Sequence, residues 1–449
     1  MSARVREQLE GAIQVTLVGL IVVVALVASH IQPWNTPAFR PMRTFVLLEL
    51  AALAVAYLVI TRAKLRLLPG SIAIAAFTLL ALLSVTWSAD QSLTVDRAVG
   101  FAGLVVAAVA LALGAVGRPR VASQLILALL AATTLIAAAG LVELWHAYDQ
   151  AVLAATKAQG ARYNGIGQNP NQIPMLIALT LPFAIWLFRE ARGRLRGAAI
   201  AVALLLFGSL VASGSRGALA AAFAGCAVYL VATVPHRWKS ILAAGTALFV
   251  VAALATQLPQ PASKNPELYE EFGRTPSLGP KDINSRLPLE SEFGFPGENA
   301  EPGTTRTLFV TSGRLQAWES AVEQGLERPL AGYGFGTEDE TFVDRSYSFV
   351  SDAVENSFIG VFLQLGVLGI VVLVAALVLP LAAWWRVRSQ LDPEQRESAA
   401  ACAGAVVAGI VLAVPQSYLT SVGSPPTAAF WVAFFLLGAL AIRTRSVAE

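Results

Sequence analysis

Apolar residues along this chain gather in long unbroken runs instead of alternating or returning at helical spacing. Twelve such runs cover residues 11–29, 44–60, 70–86, 98–116, 121–145, 172–188, 197–212, 217–234, 240–256, 357–383, 398–414 and 427–442. A helix rises about 1.5 Å per residue, so about 20 apolar residues cross the roughly 30 Å hydrocarbon core of a bilayer. The pattern predicts an all-α polytopic membrane protein of about twelve transmembrane helices, with residues 1–449 as a single membrane domain. Only Ser213-Gly214-Ser215-Arg216 separates the seventh and eighth runs, which predicts a tight hairpin. The start, Ser2 to Glu10 followed by an apolar run to Ser29, has the outline of a signal peptide. The run is too long for an h-region and has no small-residue cleavage site, so it reads as an uncleaved first span.

Polar residues between the runs set the orientation. Basic residues of short loops favour the cytoplasmic side. Segments on the side of the N-terminus carry 18 Lys and Arg, and the short loops of the other side carry six: Arg40, Arg43, Arg97, Lys157, Arg162 and Arg216. This alternation predicts both termini in the cytoplasm. Residues 257–354 interrupt the pattern as one large extracytoplasmic loop, with 8 basic and 16 acidic residues. The loop is rich in Pro and Gly up to about residue 305. Beyond it, Leu315, Trp318, Val322 and Leu326 recur at helical spacing, with Ser312 as an N-cap and Pro329 past the end. That spacing predicts a short amphipathic helix, about 313–327, on the outer surface of the bundle.

Composition narrows the class further. The chain is 56% hydrophobic and 14% charged, with a mean hydropathy of +0.64. A soluble domain is about 25% charged. A soluble globular enzyme, a disordered chain and a nucleic-acid binder are excluded. The net charge of +3 is close to neutral and does not select a partner. Cys226 and Cys402 lie in apolar runs without metal or disulfide spacing, and His30, His146 and His236 share no spacing. No metal-ligand set or P-loop motif is present, so no metal and no cofactor is expected. The absence of an internal repeat argues against a transporter built on inverted repeats.

Four polar segments fall on the predicted outer face. Arg162-Tyr163-Asn164-Gly165-Ile166-Gly167-Gln168-Asn169-Pro170-Asn171 precedes the sixth span. Asn169 and Asn171 there either cap that span or offer amides to a ligand. Arg216 opens the eighth span. A guanidinium cannot be neutralised at membrane depth, so it either snorkels to headgroups or binds phosphate at a helix N-terminus. Arg314 opens the loop helix, where a cation opposes the macrodipole and points to an anionic partner. The glycine-rich Pro329 to Gly336 follows it and reads equally as a turn. Glu355 and Asn356 lead into the tenth span, which carries Gln364; Glu355 there serves either the helix dipole or as a general base. Glu49, inside the second run, is expected to pair with Arg43 or another polar group of the bundle.

Taken in order, these segments resemble the O-antigen ligase and O-antigen polymerase superfamily. The resemblance rests on Arg-Tyr-Asn-Gly through Asn-Pro-Asn, on Ser-Gly-Ser-Arg-Gly, and on Arg314-Leu-Gln-Ala-Trp318 followed by Pro329-Leu-Ala-Gly-Tyr-Gly. Glu355-Asn356-Ser-Phe leading to Gln364-Leu-Gly-Val-Leu-Gly369 completes it. It is strongest over residues 162–370. It implies an integral glycosyltransferase of the C-type class in the bacterial cytoplasmic membrane, active in surface polysaccharide and lipopolysaccharide assembly. The donor would be a glycan on a polyprenyl (undecaprenyl) diphosphate, and the acceptor another glycan or a glycolipid, without nucleotide sugar or metal. Arg216 and Arg314 match the family's functional arginines. Arg162, Asn169, Asn171 and Asn356 are further substrate-binding candidates. Ligases place a His where this chain has Glu355, which would be the base. Two readings from other classes stand beside this one: a transporter or flippase of lipid-linked intermediates, and a scaffold whose acidic loop binds a partner.

Overall fold

The computed structural model describes residues 3–153, 162–255, 314–343 and 353–442. Its helices are α1 (Ala3–Val27), α2 (Arg40–Ile60), α3 (Ser71–Leu83), α4 (Gln91–Ala115) and α5 (Pro119–His146). A four-residue turn α6 (Tyr148–Ala151) precedes α7 (Gln172–Glu190), α8 (Arg194–Ala212), α9 (Arg216–Thr233) and α10 (Trp238–Ala255). The loop helices α11 (Arg314–Gly325) and α12 (Glu338–Thr341) come next, followed by α13 (Ser357–Val387), α14 (Pro393–Leu412) and α15 (Pro425–Leu440). Twelve of these coincide with the twelve apolar runs. Among the described residues, nine helices are long and apolar enough to cross a membrane, and α3 and α15 are shorter apolar helices. Two-residue strands β1 (Val152–Leu153) and β2 (Arg162–Tyr163) pair antiparallel beside the bundle. The fold is that of an all-α polytopic membrane protein.

The shortness of α15 has a physical reason. All of its residues are buried, so it is a post at the centre of the protein, and a helix that is apolar all round belongs there. Phe430, Trp431, Phe434 and Phe435 form a chain of edge-to-face contacts that continues through Phe101 and Phe77 to Phe335. Helices α9 and α14 approach more closely, through glycine. A Cβ added to Gly225 would lie 2.5 Å from the Gly404 carbonyl oxygen, and one on Gly404 would lie 2.6 Å from that of Gly225. Small residues let helix backbones meet in lipid, where dispersion must replace the hydrophobic drive.

Glu49 does not do what its position predicts. It is exposed on α2 and makes no hydrogen bond or ion pair among the described residues. Arg43 lies instead within electrostatic range of Asp96 and against the turn at Gly423. The buried face of α2 is Leu47, Leu50, Ala54 and Tyr57, and Glu49 falls on the opposite side of the helical wheel. A charge on an outward face is unfavourable in hydrocarbon. Glu49→Leu is therefore expected to raise the thermal stability of the purified protein, by up to about 3 kcal/mol. A lower melting temperature would show that the carboxylate has a stabilising partner.

The loop helix α11 forms, but it buries the other face. Ala317, Ser320, Ala321, Gln324 and Gly325 are buried, while Leu315, Val322 and Leu326 are exposed. Its axis lies close to α13, because a Cβ on Gly325 would meet the Phe362 ring at 2.5 Å. Ala317, Ala321 and Gly325 repeat every four residues and give the narrow stripe that such an approach requires. Of the apolar stripe read from the sequence, Leu315, Val322 and Leu326 face outward, while Trp318 packs inward against Ala321, Val354 and Leu363. Ser312 and the acidic 257–305 segment lie outside the described residues.

Candidate active site

Helix α13 is broken nine residues after it starts, at Gly366, whose φ is 62° and ψ −161°. The segment Pro329–Gly336 fills the break. Tyr333 N–H donates to the Leu363 carbonyl at 3.0 Å and Gly334 N–H to that of Gln364 at 2.8 Å. Val367 N–H donates to the Pro329 carbonyl at 2.8 Å, and Gly336 N–H to Gln364 Oε1 at 2.7 Å. Irregular backbone survives at membrane depth only where protein satisfies its polar groups. The glycine-rich stretch and the Gly366 region, which looked like separate motifs, are two halves of one joint. The joint is fixed to α4, where Asp339 takes both Arg97 Nη atoms, at 2.5 and 2.6 Å.

This joint positions Glu355 at the head of α13. Arg314 Nε donates to Glu355 Oε2 at 2.8 Å, and its Nη2 donates to the same oxygen. Both side chains are mostly buried. Asn356 is the N-cap of α13; its Oδ1 accepts from Phe358 and Ile359 N–H, both at 3.0 Å. The Glu355 backbone has φ of +51°. A side chain in that region costs of order 1–3 kcal/mol and persists only where the surrounding structure holds it, often at functional sites.

The Ser213–Ser215 turn brings α9 to the same place. Arg216 opens α9 and lies within electrostatic range of Arg314. Packing sets this end of α9: a Cβ on Gly217 would meet Pro415 at 2.8 Å. Arg162 stands behind the turn and is only 7% exposed. Its Nε donates to the Ser213 carbonyl at 2.8 Å, and its Nη2 to Asn171 Oδ1 at 2.8 Å. Asn171 occupies the N-cap position of α7, but its side chain makes no cap bond because it accepts from Arg162. Asn169 is exposed, and its Oδ1 accepts from Asn171 N–H at 2.8 Å.

The structure thus gathers Arg216, Arg314, Glu355 and Asn356 at one end of the bundle. It places Arg162 and Asn171 behind the Arg216 turn and leaves Asn169 at the rim. Two contributors carry no signal in the sequence. Glu338 is 8% exposed, and burial pushes its carboxyl up from the ordinary range, against hydrogen bonds from Ser417, Val354 and Gln364. Ser417 comes from the α14–α15 connection, 79 residues from Glu338 and 61 from Asn356 in sequence. His30, set aside in the sequence, contacts the same loop system, with Nδ1 3.3 Å from the Gly167 carbonyl oxygen and Nε2 3.4 Å from Glu143. Among the described residues no group of His, Cys, Asp and Glu could hold a metal ion.

Residues 201–374 match the family model for O-antigen ligase. No curated protein matches the chain. The matched span runs from α8 through the break in α13 and contains Arg216, Arg314, Glu338 and Glu355. It supports assignment to the O-antigen ligase and polymerase superfamily, and with it a multi-pass membrane enzyme of surface polysaccharide assembly.

Proposed function

We propose that this protein is a glycosyltransferase that moves a glycan from a polyprenyl diphosphate to an acceptor glycan or glycolipid. The site would lie at the outer face of the bacterial cytoplasmic membrane, with both termini in the cytoplasm. The observation that carries the reading is the Glu355–Arg314 pair with Arg216 within electrostatic range. Breaking the bond from the sugar to the diphosphate leaves negative charge on phosphate oxygens. Two guanidinium groups held in a partly dry site would stabilise that charge as it forms. The acceptor hydroxyl must lose its proton as its oxygen attacks the anomeric carbon, and the Glu355 carboxylate would take it. One displacement from the face opposite the leaving group inverts that carbon. Arg162 and Asn171 hold the Arg216 turn, Asn356 holds the helix that carries Glu355, and exposed Asn169 is available to sugar hydroxyls.

Membranes containing Glu355→Gln protein, supplied with lipid-linked repeat units, are expected to transfer glycan about 10²–10⁴-fold more slowly. Undiminished turnover would overturn the base role. Movement of the lipid without any glycan product would favour a flippase. Deletion of the gene separates the two acceptor classes. Single repeat units accumulating would identify a polymerase, and intact chains left on the carrier lipid a ligase.

A further inference from the structure

One buried carboxylate holds the residues on both sides of Glu355. Val354 N–H donates to Glu338 Oε1 at 2.8 Å. Asn356 N–H donates to Ser417 Oγ at 3.0 Å, and the Ser417 hydroxyl donates to the same Glu338 oxygen at 2.8 Å. Gln364 Nε2 donates to the other oxygen at 3.0 Å, which fixes the carboxylate plane. Trp318 Nε1 donates to the Val354 carbonyl at 3.0 Å and pins the segment from the loop-helix side. The space for this carboxylate comes from Gly360, where a Cβ would lie 2.4 Å from Glu338 Oε2.

A buried carboxylate is unfavourable unless several donors meet it, and two of the three donors here, Val354 N–H and the Ser417 hydroxyl, hold the residues on either side of Glu355. Glu355 itself holds a backbone conformation that side chains adopt only when their surroundings over-determine it. Among the described residues only Arg62 shares it. Returning Glu355 to an ordinary φ would swing its Cβ by on the order of 110°. Its carboxylate would then leave Arg314.

We propose that Glu338 is a positioning residue that clamps Glu355 in its left-handed backbone conformation, directly through Val354 and indirectly through Ser417. Its consequence for catalysis rests on the reading of Glu355 as the base; the clamp itself does not.

The test separates the two. E355G and E355A both remove the carboxylate and differ in their tolerance of positive φ. With Glu338 in place, E355G is expected to melt a few degrees above E355A. Adding E338A to each is expected to erase that gap. Where E338A does not fold, S417A, which cuts one arm, is expected to shrink the gap by half or more. No gap with Glu338 present, or a gap unchanged by E338A or S417A, would overturn the clamp. In transfer assays with lipid-linked repeat units, S417A alone is expected to lower kcat about tenfold with donor KM little changed. Normal transfer by E355Q together with a collapsing gap would sink the base reading and leave the clamp standing. An inactive E355Q with an unchanged gap would do the reverse.

Discussion

Arg216→Ala and Arg314→Ala are each expected to lower glycan transfer by about 10²–10³-fold, Arg216→Ala with a melting temperature close to native and Arg314→Ala with a lower one, because it leaves the mostly buried Glu355 carboxylate without its partner. On the proposed reading, each guanidinium meets the charge that the donor diphosphate already carries and the further charge that develops as the donor bond breaks. Its removal should therefore raise donor KM as well as lower kcat. The two substitutions should not multiply, because both cations serve one diphosphate. Lysine at either position is expected to recover only part of the loss, since an ammonium lacks the planar fork that grips phosphate oxygens. Arg314→Ala has a second effect: it leaves Glu355 without the partner that orients it. Glycan product measured from lipid-linked repeat units in membranes decides the matter. Near-native transfer by either alanine variant would remove that arginine from the site.

The largest effect on folding is expected at the joint between the loop and α13. Gly332 and Gly366 both have φ of +62°. A Cβ on Gly332 would lie 2.4 Å from the Gln364 carbonyl carbon, and one on Gly366 would lie 2.4 Å from that of Leu330. Each residue therefore sits in a conformation that suits glycine, and each faces backbone that cannot move aside. Strain and overpacking together predict a loss of about 2–6 kcal/mol for Gly332→Ala or Gly366→Ala. The joint carries Glu338 and Glu355 on its two sides, so inactivity should follow from misfolding. Size-exclusion chromatography and thermal melting of the detergent-solubilised protein test this. A monodisperse variant with native melting temperature would show that the joint is looser than its geometry implies.

The membrane helices were legible because their signal is local. An apolar run about 20 residues long has one low-energy solution in a bilayer, so each of the twelve runs marks a helix, although α1 and α4 begin seven or eight residues before their runs. The arginines of the candidate site stood out for the opposite reason, since a cation at a helix N-terminus or at the membrane boundary is unfavourable without an anionic partner. Faces were harder to read. Glu49 looked inward-facing because a charge in an apolar run suggests a partner, yet its neighbours Leu47 and Leu50 took the buried side. In α11 the largest apolar residues suggested the packed stripe. The close approach to α13 selected Ala317, Ala321 and Gly325 instead, because distance between helix axes outweighs side-chain hydrophobicity there.

Residue types at single positions thus determined the class of protein, the run of helices along the chain, and the candidate pair of arginines with a carboxylate. Tertiary structure decided what those residues touch. It showed that the glycine-rich segment and the break in α13 complete one another, that Arg162 braces the Arg216 turn, and that Asn356 caps a helix. It also brought Glu338 and Ser417, from two distant connections, beneath the strained Glu355. Those relations depend on hydrogen bonds and backbone contacts between segments far apart in sequence, and neither composition nor periodicity encodes such pairings.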